Sequence, residues 1–369
     1  MKSDQILINF LKSPKLIAQF SEEEIGHLIR QSYATGLTAR VYSQLSENGL
    51  MSFIPDNMRW HFSSANKLFK AHKHDINNEI KRITNALKFA NISPVFLKGA
   101  AYIIADNKCH QGRLFSDVDI FVDKSDLSIA EGMLRLNGWI NNDIDEHDEK
   151  YYRDWMHEIP PLINTKSDIT IDVHHNLVPL VSRIKLNSDL LLDRVVNSSS
   201  GIKTLSPMDK ILHSSAHLLL DGEFDHGFRD IHDLYLLLTE YMLDNPDFID
   251  DLIGRAEELG FELILYYCLL LQVEIFKLNI PISKIAKLKQ KIPTTIITDI
   301  VFRMFLRVLC PEPSKLSSFR YKTSLFLLYI RSHWLKMPMH LLIPHLLYKA
   351  IVTPFKERKK IKELENNPN

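Results

Sequence analysis

Apolar positions in the first ninety residues recur at helical spacing. Between Ser63 and Ala90, Ile76, Ile80, Ile83 and Leu87 fall three or four apart. They lay an apolar stripe along one face, with Lys and Asn on the other. Asn91 and Pro94 end that helix, because proline disfavours helical geometry in the residue before it. The period then changes. Val95, Phe96 and Leu97 form a short apolar run closed by Lys98-Gly99, which reads as a buried strand feeding a tight turn. Val118 to Val122 is a second strand candidate. Ser125 and Asp126 mark a helix start, Leu127, Ala130 and Leu134 give that helix its inner face, and Gly138 is its C-cap. From Asp168 to His174 the alternation is clean: Ile169, Ile171 and Val173 on one face, Thr170, Asp172 and His174 on the other. Ser206 is a good N-cap and Pro207 a good first helical residue, and Leu/Ile-rich helical stretches then run to about residue 350.

This order of elements predicts an α+β chain that is mostly helical. An N-terminal helical region covers 1–90, a small α/β module 91–200 and a C-terminal helical domain 201–369. The length of 369 residues suits about two domains of ordinary size, and neither an internal repeat nor a low-complexity tract interrupts the plan.

Charge and cysteine content narrow the partners. Lys plus Arg and Asp plus Glu both number 45. A general nucleic-acid binder usually carries a basic excess, so nucleic acid is not the expected partner. Cys109, Cys268 and Cys310 lie far apart and fit no zinc or disulfide spacing. The N-terminus lacks the apolar core of a secretory signal. Both point to a reducing cytoplasm. The run from Leu263 to Leu271 is far shorter than the ~20 residues of a membrane span. The apolar stretch from Leu325 to Val352 is interrupted by Arg331, His333, Lys336, Pro338, His340, Pro344, His345 and Lys349. It reads as packed helices. The sharper alternative is peripheral contact with a membrane surface, helped by Lys356, Arg358, Lys359, Lys360 and Lys362.

The chemistry concentrates in the α/β module. Asp117 and Asp119 stand two apart at the start of a strand, so both carboxylates face one side while Val118 and Ile120 face the other. Neighbouring carboxylates repel, and a divalent cation offsets that cost. Mg²⁺ prefers carboxylate oxygen and is often completed by substrate phosphates. Asp172 is a third carboxylate, on the polar face of its own strand. If the two strands are neighbours, three acids converge, a set suited to two metals about 4 Å apart. Asp172 would then orient or deprotonate an acceptor hydroxyl. At Lys98-Gly99, the glycine lets backbone N–H groups approach a phosphate and the lysine adds a point charge. Arg113 meets a phosphate or braces an acid, and Ser116 adjoins the acid pair as a further nucleotide contact. Each residue has a plainer reading. Asp-x-Asp recurs in surface loops, Lys98-Gly99 reads equally as a turn, Arg113 as a structural salt bridge and Asp172 as a surface acid. The ordered set is far more specific than its parts.

At these residues the sequence resembles the DNA polymerase β-like nucleotidyltransferase superfamily, and within it a family of largely uncharacterised bacterial nucleotidyltransferases. The likeness rests on FLKGAAY (Phe96 to Tyr102), GRLFSDVDIFV (Gly112 to Val122), GW (Gly138, Trp139) and IDVHHNL (Ile171 to Leu177). The family pattern is a Leu-Lys-Gly turn, an Arg ahead of an Asp-x-Asp strand, and an Asp/Glu-x-His strand. Asp117, Asp119 and Asp172 match its acids, and Lys98, Gly99 and Arg113 its flanking positions. The stretch from Ser206 to Leu238 resembles the helical region that follows, and the likeness covers most of residues 20 to 240. The broader superfamily has a Gly-Gly or Gly-Ser turn about ten residues before its acids. Here Asp117 follows Gly99 by eighteen residues, a departure that the narrower family shares. The resemblance implies a two-layer module with a mixed sheet, Mg²⁺ dependence (two ions, with Mn²⁺ as a substitute) and an NTP such as ATP as donor. The acceptor is open: a small molecule, sugar, peptide or protein.

Two other readings compete. His213, His217, His232 and Asp233 could ligate a metal in an HD-type phosphohydrolase, since His213 and His217 share a helix face. The resemblance instead gives His217, Arg229 and Asp230 the work of holding the helical region to the catalytic module. The second rival is a non-catalytic nucleotide-binding or toxin–antitoxin-type protein. It is disfavoured because all three acidic positions are filled.

Overall fold

The stripe around Ile80 forms the backbone of one layer. In the computed structural model, which describes residues 5–141, 145–184, 186–187, 189–293 and 295–352, helix α1 runs from Arg59 to Lys88. Ile76, Ile80, Ile83 and Leu87 are all buried along it. Asn91, at φ 59°, turns the chain out of the helix three residues before Pro94.

Strand β1 is only Val95–Phe96, and helix α2, Lys98–Ile104, begins almost at once. The tight turn read from the sequence is therefore a strand-to-helix corner, with Lys98 itself at φ 40°. β2, Asp117–Phe121, leads to α3, Leu127–Leu136. Gly138 at φ 101° follows that helix, in the left-handed region that glycine enters without strain. Then come β3 (Trp139–Asn141), β4 (Leu162–Asn164), β5 (Thr170–His174), β6 (Val196–Asn197) and β7 (Lys203–Thr204). Four of these, β3, β4, β6 and β7, are two or three residues long. That is too short for alternation to show in a sequence.

The seven strands form one sheet in the order β3-β4-β5-β2-β1-β7-β6. It is mixed. β2 pairs parallel with β5 and antiparallel with β1, while β1 pairs parallel with β7. After it, α4 (Pro207–Leu220) starts as expected, with Ser206 Oγ accepting the N–H of Asp209 at 3.2 Å. α5 (Gly227–Asp244), α6 (Phe319–Lys336) and α7 (Met339–Leu347) are the later helices that bear on the site. The α+β class with a small mixed sheet and predominant helix is thus realised.

Strand alternation sorts the two sheet faces. Val118, Ile120, Ile171 and Val173 point down into a cluster with Phe96, Trp139 and Leu162, sealed by α1 and α3. Each such buried side chain contributes about 1.5–3 kcal/mol. Glu79 of α1 is buried in this layer and fully occupied. It accepts from Trp139 Nε1 at 2.9 Å, Asn164 Nδ2 at 2.8 Å, Ser167 Oγ at 3.0 Å and Arg82 at 3.1 Å. It ties α1 to β3 and β4. A second core joins Leu7 and Phe10 near the start of the chain, Tyr102 and Phe121 of the sheet module, and later helices as far as Leu328. The helical regions before and after the sheet therefore share apolar packing. No described helix is long and apolar enough to cross a membrane.

Candidate active site

The upward face of β2 and β5 carries acids. The two strands are parallel neighbours, with Asp119 opposite Asp172 and Asp117 opposite Thr170. Period two puts Asp117, Asp119 and Asp172 on one side, and carboxylate oxygens of the three lie within 4.8 Å of one another.

The three acids differ in their surroundings. Asp119 is buried, and two partners converge on its Oδ1: Lys98 Nζ at 2.7 Å and His174 Nε2 at 2.9 Å. Burial alone would raise its pKa, but Lys98 and His174 prevail and hold the carboxyl well below its usual range. Burial also disfavours the Lys98 ammonium. The charges of Asp119 and Asp117 outweigh that and raise its pKa. Asp172 goes the other way. Burial first, then the charges of Asp119 and Glu158, push its carboxyl up to about 8. Its Oδ1 is buried and has no hydrogen-bond partner among the described residues. An orphaned carboxylate oxygen beside two further acids marks a site short of positive charge. Three oxygen donors of this kind fit a hard divalent cation such as Mg²⁺ or Mn²⁺.

His174 sits on the same polar face of β5, two residues beyond Asp172. Its Nδ1 lies 3.3 Å from Glu158 Oε2, and His157 Nε2 lies 3.9 Å from the same oxygen. Burial would lower the His174 pKa, but the bond to Asp119 and the charge of Glu158 raise it. His157, Glu158 and His174 are a second group with donor atoms within 4.8 Å of one another. Glu158 comes from the segment before β4 and carries no sequence signal; an isolated bridge to His174 brings it in.

A cleft of about 540 Å³ opens beside the acids. Lys98, Gly99, Ser116, Asp117 and Asp119 line one wall, and His217, Asp221, Arg229 and Asp230 the other. Asp172 does not line it, and Glu158 and Tyr152 lie near enough to its carboxyl for their charges to interact. Ser116 is exposed at the mouth, its Oγ 3.5 Å from Asp117 Oδ1. Gly99 is required by packing: a Cβ there would lie 2.9 Å from the Phe115 ring.

Arg113 also lines the cleft, and its salt bridges run to acids other than Asp117 and Asp119. Its Nε donates to Asp233 Oδ2 at 2.7 Å and its Nη2 to Asp230 Oδ1 at 3.2 Å. The other Asp233 oxygen meets Arg40 Nη1 at 2.7 Å. Arg229 donates to Asp230 at 3.0 Å and to the carbonyl of Leu114 at 2.8 Å. These charges lace α5 to the segment just before β2, so Arg229 and Asp230 do join the helical region to the sheet. His217 has a different place. It lines the cleft, and burial and the charge of Lys98 push its pKa down to about 4.

The HD-type set is not assembled. Asp233 is taken by Arg40 and Arg113, and His232 Nδ1 lies 3.0 Å from Arg40 Nη1. Among the described residues, neither group with donor atoms close enough for a metal includes His213, His217, His232 or Asp233. A helix-face spacing brings two side chains together, but it cannot reveal that arginines from elsewhere already hold their would-be partner.

Comparison with family models matches residues 21–277 to one described as an uncharacterised nucleotidyltransferase. Comparison with curated proteins gives no match.

Proposed function

The chain belongs to that nucleotidyltransferase family, and on this premise we propose that it moves a nucleoside monophosphate from an NTP to an acceptor hydroxyl. The observation that supports this best is the register of β2 and β5, which gathers Asp117, Asp119 and Asp172, with Asp172 Oδ1 lacking a hydrogen-bond partner among the described residues. These three acids would hold one or two Mg²⁺ ions, or Mn²⁺ in their place. A divalent cation there supplies charge neutralisation at the phosphates and lowers the pKa of the acceptor hydroxyl.

The chain's own groups divide the remaining work. Lys98, Ser116 and the Gly99 turn face the cleft and receive the triphosphate. Arg113, already held by Asp230 and Asp233, keeps the wall of that cleft in place and adds positive charge to it. The acceptor enters from the Asp172 side. Its oxygen bonds to the α-phosphorus while the bond from that phosphorus to the α,β-bridging oxygen breaks. The electron pair leaves with pyrophosphate, and Asp172 takes the hydroxyl proton. Balanced net charge and an acid-lined cleft favour a small molecule, sugar, peptide or protein as acceptor over nucleic acid. An NTP donor is in keeping with a cytoplasmic enzyme.

Calorimetric titration with each NTP, with and without Mg²⁺, tests this without an acceptor. One NTP is expected to bind the wild type only when Mg²⁺ is present, and not to bind Asp117→Asn/Asp119→Asn. Equal binding by the variant would sink the proposal.

A further inference from the structure

The outer face of α6 is apolar where a surface helix is usually polar. Ser324, Leu328 and Ser332 form its buried side. Phe319, Phe326, Leu327, Ile330 and Trp334 lie on the opposite side, between 44% and 83% exposed. In α7 the pattern repeats: Leu342 is buried, while Met339, Ile343, Leu346 and Leu347 are 40% to 54% exposed at spacings of four, seven and eight.

This orientation is fixed from the inner side. Ser332 Oγ donates to the carbonyl of Leu220 at 2.6 Å, and Arg331 Nη1 to that of Leu219 at 3.1 Å. Lys336 Nζ pairs with Asp221 at 2.8 Å. Gly222 lets α6 close in, since a Cβ there would lie 2.9 Å from Ser332 Cβ. Turning the apolar stripe inward would break all of these bonds.

Charge identifies the occupant. From Pro313 to Val352 the sequence has no Asp or Glu, in a chain that balances the two signs overall, and of its cations Arg331 and Lys336 bond inward while Lys315, Arg320 and Lys322 are exposed. Arg320 and Lys322 are exposed beside the stripe. Arg183 stacks over the Trp334 ring, its Cζ 4.2 Å from the centroid. An apolar stripe with aromatic members and cationic flanks suits a helix lying in the headgroup region of an anionic bilayer. A second copy of the chain suits it poorly, because a two-fold contact would set basic flank against basic flank. Both helices also lie beyond the region matched to the nucleotidyltransferase family, which ends at residue 277.

We propose that α6 and α7 form a docking surface for a membrane rich in anionic lipid, on which the protein lies without crossing it. This inference is independent of the proposed reaction. The test is flotation of the full chain with phosphatidylcholine vesicles, with and without phosphatidylglycerol. Binding is expected only with the anionic lipid and is expected to fall at high salt. Arg320→Ala/Lys322→Ala should weaken it about 30-fold, at about fivefold per cation. Phe326→Ser/Ile330→Ser should abolish flotation while thermal unfolding stays unchanged, since both side chains face outward. No flotation with the anionic vesicles would overturn the proposal. So would a dimer in light scattering that the Phe326→Ser/Ile330→Ser variant dissolves, which would assign the face to a second copy.

Discussion

Replacing Asp172 with asparagine should make the metal-free protein more stable, increasingly so as pH rises. Its carboxyl holds its proton up to about pH 8 in the fold, against 3.8 for an ordinary aspartate. Between those values the folded chain keeps a proton that the unfolded chain has released. Stability contributed by this group is therefore whole below about pH 4 and is lost as pH rises toward 8, at up to about 1.4 kcal/mol per pH unit. Across the window the loss is at most about 6 kcal/mol. An asparagine side chain cannot ionise and escapes it. Urea unfolding in chelator, run at pH 4, 6 and 8, should show Asp172→Asn nearly level with the wild type at the acid end and clearly ahead at pH 8. Mg²⁺ should then raise the midpoint of the wild type, by mass action on the folded state, and hardly move the variant. A variant no more stable than wild type at pH 8, or an advantage that does not grow with pH, would refute the reading of Asp172 as an acid strained for a cation. The variant is also expected to be inactive, a trade of function for stability found where a site stores repulsion.

Other consequences concern the scaffold. Glu79→Ala leaves Trp139 Nε1, Asn164 Nδ2 and Ser167 Oγ without their acceptor and should cost about 3–5 kcal/mol in urea unfolding. Gly99→Ala sets a methyl 2.9 Å from the Phe115 ring; it should destabilise by about 1–3 kcal/mol and be partly rescued by Phe115→Leu, as followed by thermal unfolding. Lys98→Met removes a cation from Asp119 Oδ1 and should cut kcat/KM roughly 100-fold, with loss at saturating NTP as well.

The sequence makes the parts of the site legible but not the way they meet. β2 and β5 are five residues each, long enough for alternation to declare which side chains share a face, and so the acids could be grouped. That the two strands are parallel neighbours with Asp119 opposite Asp172 depends on the crossover between them, and a face pattern does not encode a neighbour. Lys98 was legible as a cation near the turn. Its commitment to Asp119 follows from the corner at φ 40°, which no residue type announces at a lysine. Glu158 lies in no periodic segment, and only its bridge to His174 gives it a role. The stretch from Leu325 onward reads as ordinary packed helix because its apolar residues are numerous. The small inward residues Ser324 and Ser332 are what reverse its orientation, and they matter only once Gly222 is known to lie against them.

Transfer of label from an α-³²P NTP is the most direct test of the central claim. The four NTPs would be offered with Mg²⁺ or Mn²⁺ to the protein and to an extract from which an acceptor can be drawn. The account predicts that one NTP gives a labelled product together with pyrophosphate, and that Asp117→Asn/Asp119→Asn lowers this by roughly 10³-fold or more while keeping the wild-type fold by circular dichroism. Label transfer that survives in that variant, or release of inorganic phosphate in place of pyrophosphate, would contradict it.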